Sequence, residues 1–202
     1  MRLSIFFLLT ALSACGQRAE NNKHLIDPKA GRLNDSALSI MERSQDYKKA
    51  IALLDQATRI DSNFYIAFWN KTNFELDMNE FDSALSTAKN LHRIKPGSPD
   101  YFFVEGIIYD KMRDTISSQK YFRESENRYE TILDTMNTSS KQYRSMLMTK
   151  ATNLKIIGQE QKGNDLLKQL RDSEKDDFQK EMLDSMIIDS KEQILDDFSQ
   201  RK

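Results

Sequence analysis

Residues 46–62 read DYKKAIALLDQATRIDS, residues 80–96 read EFDSALSTAKNLHRIKP, and residues 114–130 read DTISSQKYFRESENRYE; the three segments begin 34 residues apart. Asp46-Tyr47 precedes Ala50, Glu80-Phe81 precedes Ala84, and Asp114-Thr115 precedes Ser118, while Ile60 recurs as Ile94 and Ser62 as Pro96. Ile51, Leu53, Leu54 and Ala57 follow helical spacing and not the alternation of a strand. A fixed step of this length marks a solenoid built from one supersecondary unit repeated along the chain.

Each segment has an apolar partner upstream. Gly31 opens a first unit with Ala37, Leu38 and Met41 on its leading helix, Tyr65 opens a second with Phe68-Trp69-Asn70, and Pro99 opens a third with Phe102, Gly106 and Tyr109. Asp61-Ser62-Asn63 and Lys95-Pro96-Gly97 supply turn chemistry between units. Pro99 is suited to a first helical position. The pattern resembles the tetratricopeptide repeat (TPR), with aromatic, Gly and Tyr places on the first helix and Ala and Phe places on the second. Phe122 falls at the Phe place, and Gly106 stands where the resemblance brings the two helices of a unit close together. Lys71 and Glu75 depart from it, occupying places where Leu and Tyr are usual.

A fourth unit fits from Arg144, with Ala151, Leu154, Gly158, Leu167 and Leu170 on pattern, 45 residues after Pro99. The excess over the period is expected in lengthened helices, one running from about Ile116 to Met136 and one from about Ser140 to Ile157. From Asp172 onward ten acidic residues face five basic ones, and Phe178, Met182, Leu183, Met186 and Ile187 keep helical spacing. One or two capping helices with a polar outer face are expected there, and Ser190 with Gln193 forms a candidate capping box. The fold class is therefore all-α: an α-solenoid of about four TPR-like hairpins over residues 31–202, closed by C-terminal capping helices.

The first residues differ in kind. Met1-Arg2 is followed by an apolar run from Leu3 to Leu12 and small residues up to Ala14, too short for a spanning helix and shaped like a secretory signal. Leu12-Ser13-Ala14-Cys15 resembles the bacterial lipoprotein box, which implies a signal over residues 1–14 and a mature chain beginning at an acylated Cys15. Two acyl chains on Cys15 would hold a bilayer stably. Gly16 stands where an inner-membrane retention Asp is common, so the resemblance implies export and lipid anchoring at the cell envelope, with the outer membrane favoured. Residues 15–30 are expected to form a flexible tether, with His24 as a solvated residue. With one Cys in 202 residues, disulfides contribute nothing.

Thirty basic against 31 acidic residues give a net charge of −1, which offers no counterion-release drive toward nucleic acid. No phosphate-cradling Gly loop, metal-ligand motif or nucleophile–base constellation is visible. No catalytic residue, metal or cofactor is expected, and His92 reads as a residue near a helix C-terminus. Binding is the expected activity. In the resembled family the first helix of each unit lines a concave groove. Carried over by position, that groove takes Arg32, Asp35 and Ser39, then Trp69, Asn73 and Leu76, Phe103, Ile107 and Asp110, and Met148, Thr152 and Lys155. Asp35 and Ser39 replace the Lys and Asn with which some members clamp a terminal carboxylate. Ala50, Ala84, Gly106, Tyr109, Phe122 and Ala151 are the expected packing positions. The expected function is an envelope adaptor docking a protein or peptide segment; an outer-membrane assembly or secretion-pilot lipoprotein and a toxin-neutralising immunity protein are the alternatives.

Overall fold

The computed structural model describes residues 24–197, so the leader and Cys15 lie outside the described residues. Every regular element among the described residues is helical. The chain divides into two compact units at Arg113/Asp114, in the connection inside the third repeat. In the first unit the order is α1 (Pro28–Ser44), α2 (Tyr47–Ile60), α3 (Tyr65–Asp77), α4 (Phe81–Ile94) and α5 (Pro99–Lys111). The second holds α6 (Thr115–Leu133), α7 (Lys141–Ile156), α8 (Glu160–Ser173), α9 (Asp177–Ile188) and α10 (Lys191–Asp197).

The turns inside the hairpins carry the repeat in the backbone itself. Gln45, Asn79 and Arg113 have φ of 52°, 59° and 63°, and Gly158, at the same place in the fourth unit, has φ 84°. A left-handed residue after a helix lets the last carbonyls be satisfied while the chain reverses. The residue after it then starts the second helix. Asp46 accepts from Lys49 N–H at 3.1 Å and Asp114 from Ser117 N–H at 3.0 Å, each satisfying a donor that the helix start leaves open. Elsewhere Asp27 caps α1 through Lys29 and Ala30 N–H, with Pro28 in the first turn.

The packing places repeat as regularly. Ala50, Ala84, Ser118 and Gly163 are equivalent and all buried, as are Leu54, Ala88, Phe122 and Leu167, and Ala57, Leu91, Ser125 and Leu170. In the first unit α1 packs on α2, α2 on α3, α3 on α4 and α4 on α5. Ala30, Ala37, Ala50, Leu54, Ala57, Phe64, Ala67 and Phe74 form one core cluster there. Tyr47 meets Phe74 edge-on at 5.9 Å. In the second unit α7 and α8 form the hairpin, with α6, α9 and α10 packed around them. A Cβ on Gly163 would lie 2.6 Å from the Ala151 carbonyl oxygen, so the α7–α8 crossing admits only glycine at that place.

The 11-residue excess before the fourth unit is spread over three features. Helix α6 has 19 residues against 14 in α2 and α4, the link to α7 is three residues longer than its counterparts, and α7 begins three residues before Arg144. At the C-terminus, Ser190 N–H donates to Gln193 Oε1 at 2.8 Å and Gln193 N–H to Ser190 Oγ at 3.2 Å, the reciprocal capping box that opens α10.

Candidate functional site

The expected groove residues fall into two sets, one on each unit. On α3, Trp69 is half-buried, while Asn73 and Leu76 are buried; on α5, Phe103 and Ile107 are buried and Asp110 is half-buried. Trp69 stacks on Tyr65 one turn earlier, with ring centroids 6.3 Å apart and planes 21° from parallel. Lys95, just after α4, places its ammonium 4.0 Å from the Tyr65 centroid, a favourable cation–π geometry. Beside it, His92 packs on Tyr101 at 4.6 Å and Phe102 at 5.7 Å, so this histidine acts as an aromatic packing group. The result is an aromatic ledge where the α4–α5 turn meets the start of α3.

Lys71 and Glu75, which break the repeat pattern, pair with one another and with the neighbouring helices. Lys71 Nζ lies 2.7 Å from Asp55 on α2 and 3.4 Å from Glu75, while Thr87 on α4 hydrogen-bonds Glu75. Burial raises the Glu75 carboxyl above its ordinary range, and the Thr87 and Lys71 contacts offset part of that rise. Burial also works against the charge on Lys71, but Asp55 and Glu75 outweigh it and leave its pKa raised. Neighbouring helices thus supply polar partners in place of the usual Leu and Tyr packing.

On α7, Met148, Thr152 and Lys155 are all buried, and the chain's own C-terminal helices account for Lys155. Its ammonium donates to Met186 O at 2.6 Å and Ile187 O at 2.9 Å, closing the last turn of α9. A cation at that position meets the negative end of the helix dipole. Burial lowers the Lys155 pKa, with Glu160 and Asp189 partly opposing it. Helix α10 also packs against α7. A second tie fixes the same hairpin: Asn153 donates to Phe122 O at 2.8 Å.

Of the expected packing residues, Ala50, Ala84, Gly106, Phe122 and Ala151 are buried and Tyr109 is half-buried. His24 stays exposed, as expected of a solvated residue, but its ring also has a protein partner. Its Nε2 lies 2.7 and 2.8 Å from the two carboxylate oxygens of Asp61, which also accepts the N–H groups of Asp27 and Asn63. Arg93 of α4 holds the same turn through Asn63 Oδ1, at 2.9 Å, and Ser62 O. Among the described residues no group of three or more His, Cys, Asp or Glu side chains is placed to hold a metal, and no helix is long and apolar enough to cross a membrane.

Known proteins agree with the architecture. No protein-family model matches the chain. It is 31% identical over 83 residues to anaphase-promoting complex subunit 3 of Schizosaccharomyces pombe, a match spanning 41% of this chain but 12% of that protein. Among solved structures it is similar to PilW, described as a type IV pilus biogenesis factor, at TM-score 0.52 and 18% identity, covering 73% of this chain and 63% of PilW. It is also similar to a tetratricopeptide repeat protein from Parabacteroides merdae, at TM-score 0.50 and 15% identity, covering 78% and 59%. The chain thus spans under two thirds of each of these proteins. It has a TPR-like, all-α helical-repeat fold.

Proposed function

We propose that the chain is a lipid-anchored adaptor at the bacterial cell envelope, held through acylated Cys15, that docks a protein or peptide segment on the inner face of its first unit. Trp69 carries this reading. It is a large aromatic at a groove position of α3, half-buried and held by the Tyr65 stack, and such pre-ordered aromatics dominate recognition surfaces. The partner meets Trp69 and Asp110, with Asn73, Leu76, Phe103 and Ile107 forming the floor beneath them. On α7 the corresponding residues, Met148, Thr152 and Lys155, are buried, and at Lys155 the chain's own α9 takes the partner's place.

The test is capture of partners from envelope extracts by the mature lipidated protein and by its Trp69→Ala form. Loss of specific partners with unchanged helical content supports the ledge; unchanged capture refutes it. Truncating Phe103 would be a poor probe, because that ring is buried and its loss would leave a cavity. The structural likeness to PilW favours, as the second reading, an assembly or pilot lipoprotein of the envelope. Normal outer-membrane assembly in a deletion strain would count against it.

A further inference from the structure

The described residues begin at a clasp. The His24 ring and the Asp27 N–H both bond Asp61, at the end of α2, so residues 24–27 run beside the α2–α3 turn. Three large apolar side chains surround that clasp and face solvent: Leu25 is 86% exposed, Ile26 43% and Ile60 40%. Single exposed apolar residues are ordinary on a protein surface. Here Leu25 and Ile26 lie within the clasped segment, Ile60 directly precedes the Asp61 that holds it, and the clasp is where the chain leaves toward Cys15.

We propose that Leu25, Ile26 and Ile60 form a membrane-resting corner, whose partner is the interfacial layer of the bilayer that holds the acyl chains of Cys15. This rests on the lipid-anchor reading above. Only Gly16 to Lys23 separate Cys15 from His24, and those nine steps at full extension cover on the order of 30 Å. An anchored chain therefore never carries this corner farther than about that distance from the lipid surface. A patch too small to bind a membrane from solution can still rest on one, because the covalent link keeps its effective concentration high.

Charge at the corner is compatible with that contact. Lys29 and Arg59 are exposed on either side, and such side chains can lay their stems on lipid while keeping the charge in the headgroups. The facing acidic groups are engaged within the protein. Asp61 accepts His24, Asp27 and Asn63, and Asp27 caps α1. The clasp also joins the lead to the folded helices, so the corner and the Trp69 ledge belong to one unit.

Cys15 is the only cysteine of the chain, and acylation blocks its thiol, so an introduced cysteine gives a single labelling site. The mature lipidated protein is reconstituted in phosphatidylethanolamine–phosphatidylglycerol vesicles as Leu25→Cys, Ile60→Cys and Ile188→Cys, each carrying a polarity-sensitive fluorophore. Ile188, 79% exposed on the other unit, is the control. The expected result is blue-shifted emission, quenched by brominated lipid, at positions 25 and 60, and water-like emission at 188. Water-like emission at 25 and 60 on protein that still floats with the vesicles overturns the corner while leaving the anchor standing. Equal quenching at all three positions also overturns it. Failure of the unsubstituted protein to float overturns anchor and corner together.

Discussion

Helices α3 and α7 hold the same place in the second and fourth copies of one hairpin, yet they end differently. Trp69, Asn73 and Leu76 on α3 correspond by position to Met148, Thr152 and Lys155 on α7. On α3 the first of them stays half-exposed in an aromatic stack; on α7 all three are buried, and Lys155 is bonded to the end of α9. A repeat cannot bury both faces of its own hairpin, so a terminal copy needs a cover. The second unit makes that cover from its own C-terminal helices. The first unit keeps an aromatic ledge, and that contrast is why the partner is placed there.

The strongest way to break the contrast is at the α7–α8 crossing. Gly163→Val forces a side chain into the space beside the Ala151 carbonyl and is expected to cost about 3 kcal/mol, read in urea unfolding. The equivalent Ala84→Gly in the first unit should cost about 1 kcal/mol, through helix propensity and lost packing.

The hairpins were legible because their cause is local. The 34-residue step, Pro99 at a helix start and the Ser190–Gln193 box all depend on neighbours along the chain, and each appears in the fold. What escaped reading lies about one repeat away. His24 reaches Asp61 over 37 residues and Lys155 reaches Met186 over 31, each through a side chain whose partner is set only when helices stack. Lys71 and Glu75 looked like flaws in the pattern for the same reason: Asp55 and Thr87 lie on other helices. The left-handed turn residue was hidden in two of the four turns, because Gln45 and Arg113 carry no chemical mark of that conformation, whereas Asn79 and Gly158 do.

Next in size is the cover itself. Lys155→Met removes two hydrogen bonds from the end of α9 and leaves the buried Met186 carbonyl and the part-buried Ile187 carbonyl unpaired, an expected loss of about 2 kcal/mol. Hydrogen exchange should then rise first in α9 and α10 and stay unchanged in α3.

The clasp at the first unit gives a smaller, pH-dependent effect. Burial raises the Asp61 carboxyl, but the Asp27 N–H, the His24 ring and the Asn63 N–H together bring it below its ordinary 3.8. A depressed carboxyl contributes stability that is present above the unfolded value and is lost as pH falls through the folded one. Asp61→Asn should therefore be less stable than the parent by about 1 kcal/mol at neutral pH. The gap should close below about pH 4, measured as paired urea curves across pH.

The smallest effects test the turn that both units share. Arg113→Gly relieves a left-handed residue that carries a Cβ and should gain about 1 kcal/mol, whereas Gly158→Ala should lose a similar amount. Opposite signs at equivalent positions would show that the turn conformation is common to the repeats.

Hydroxyl-radical footprinting of the mature protein, read by mass spectrometry at Trp69 and Met148, tests the central claim most directly. Trp69 should be modified rapidly and Met148 protected, with the protection lost when Lys155→Met loosens α9. Equal modification of Trp69 and Met148 in the parent protein would contradict it.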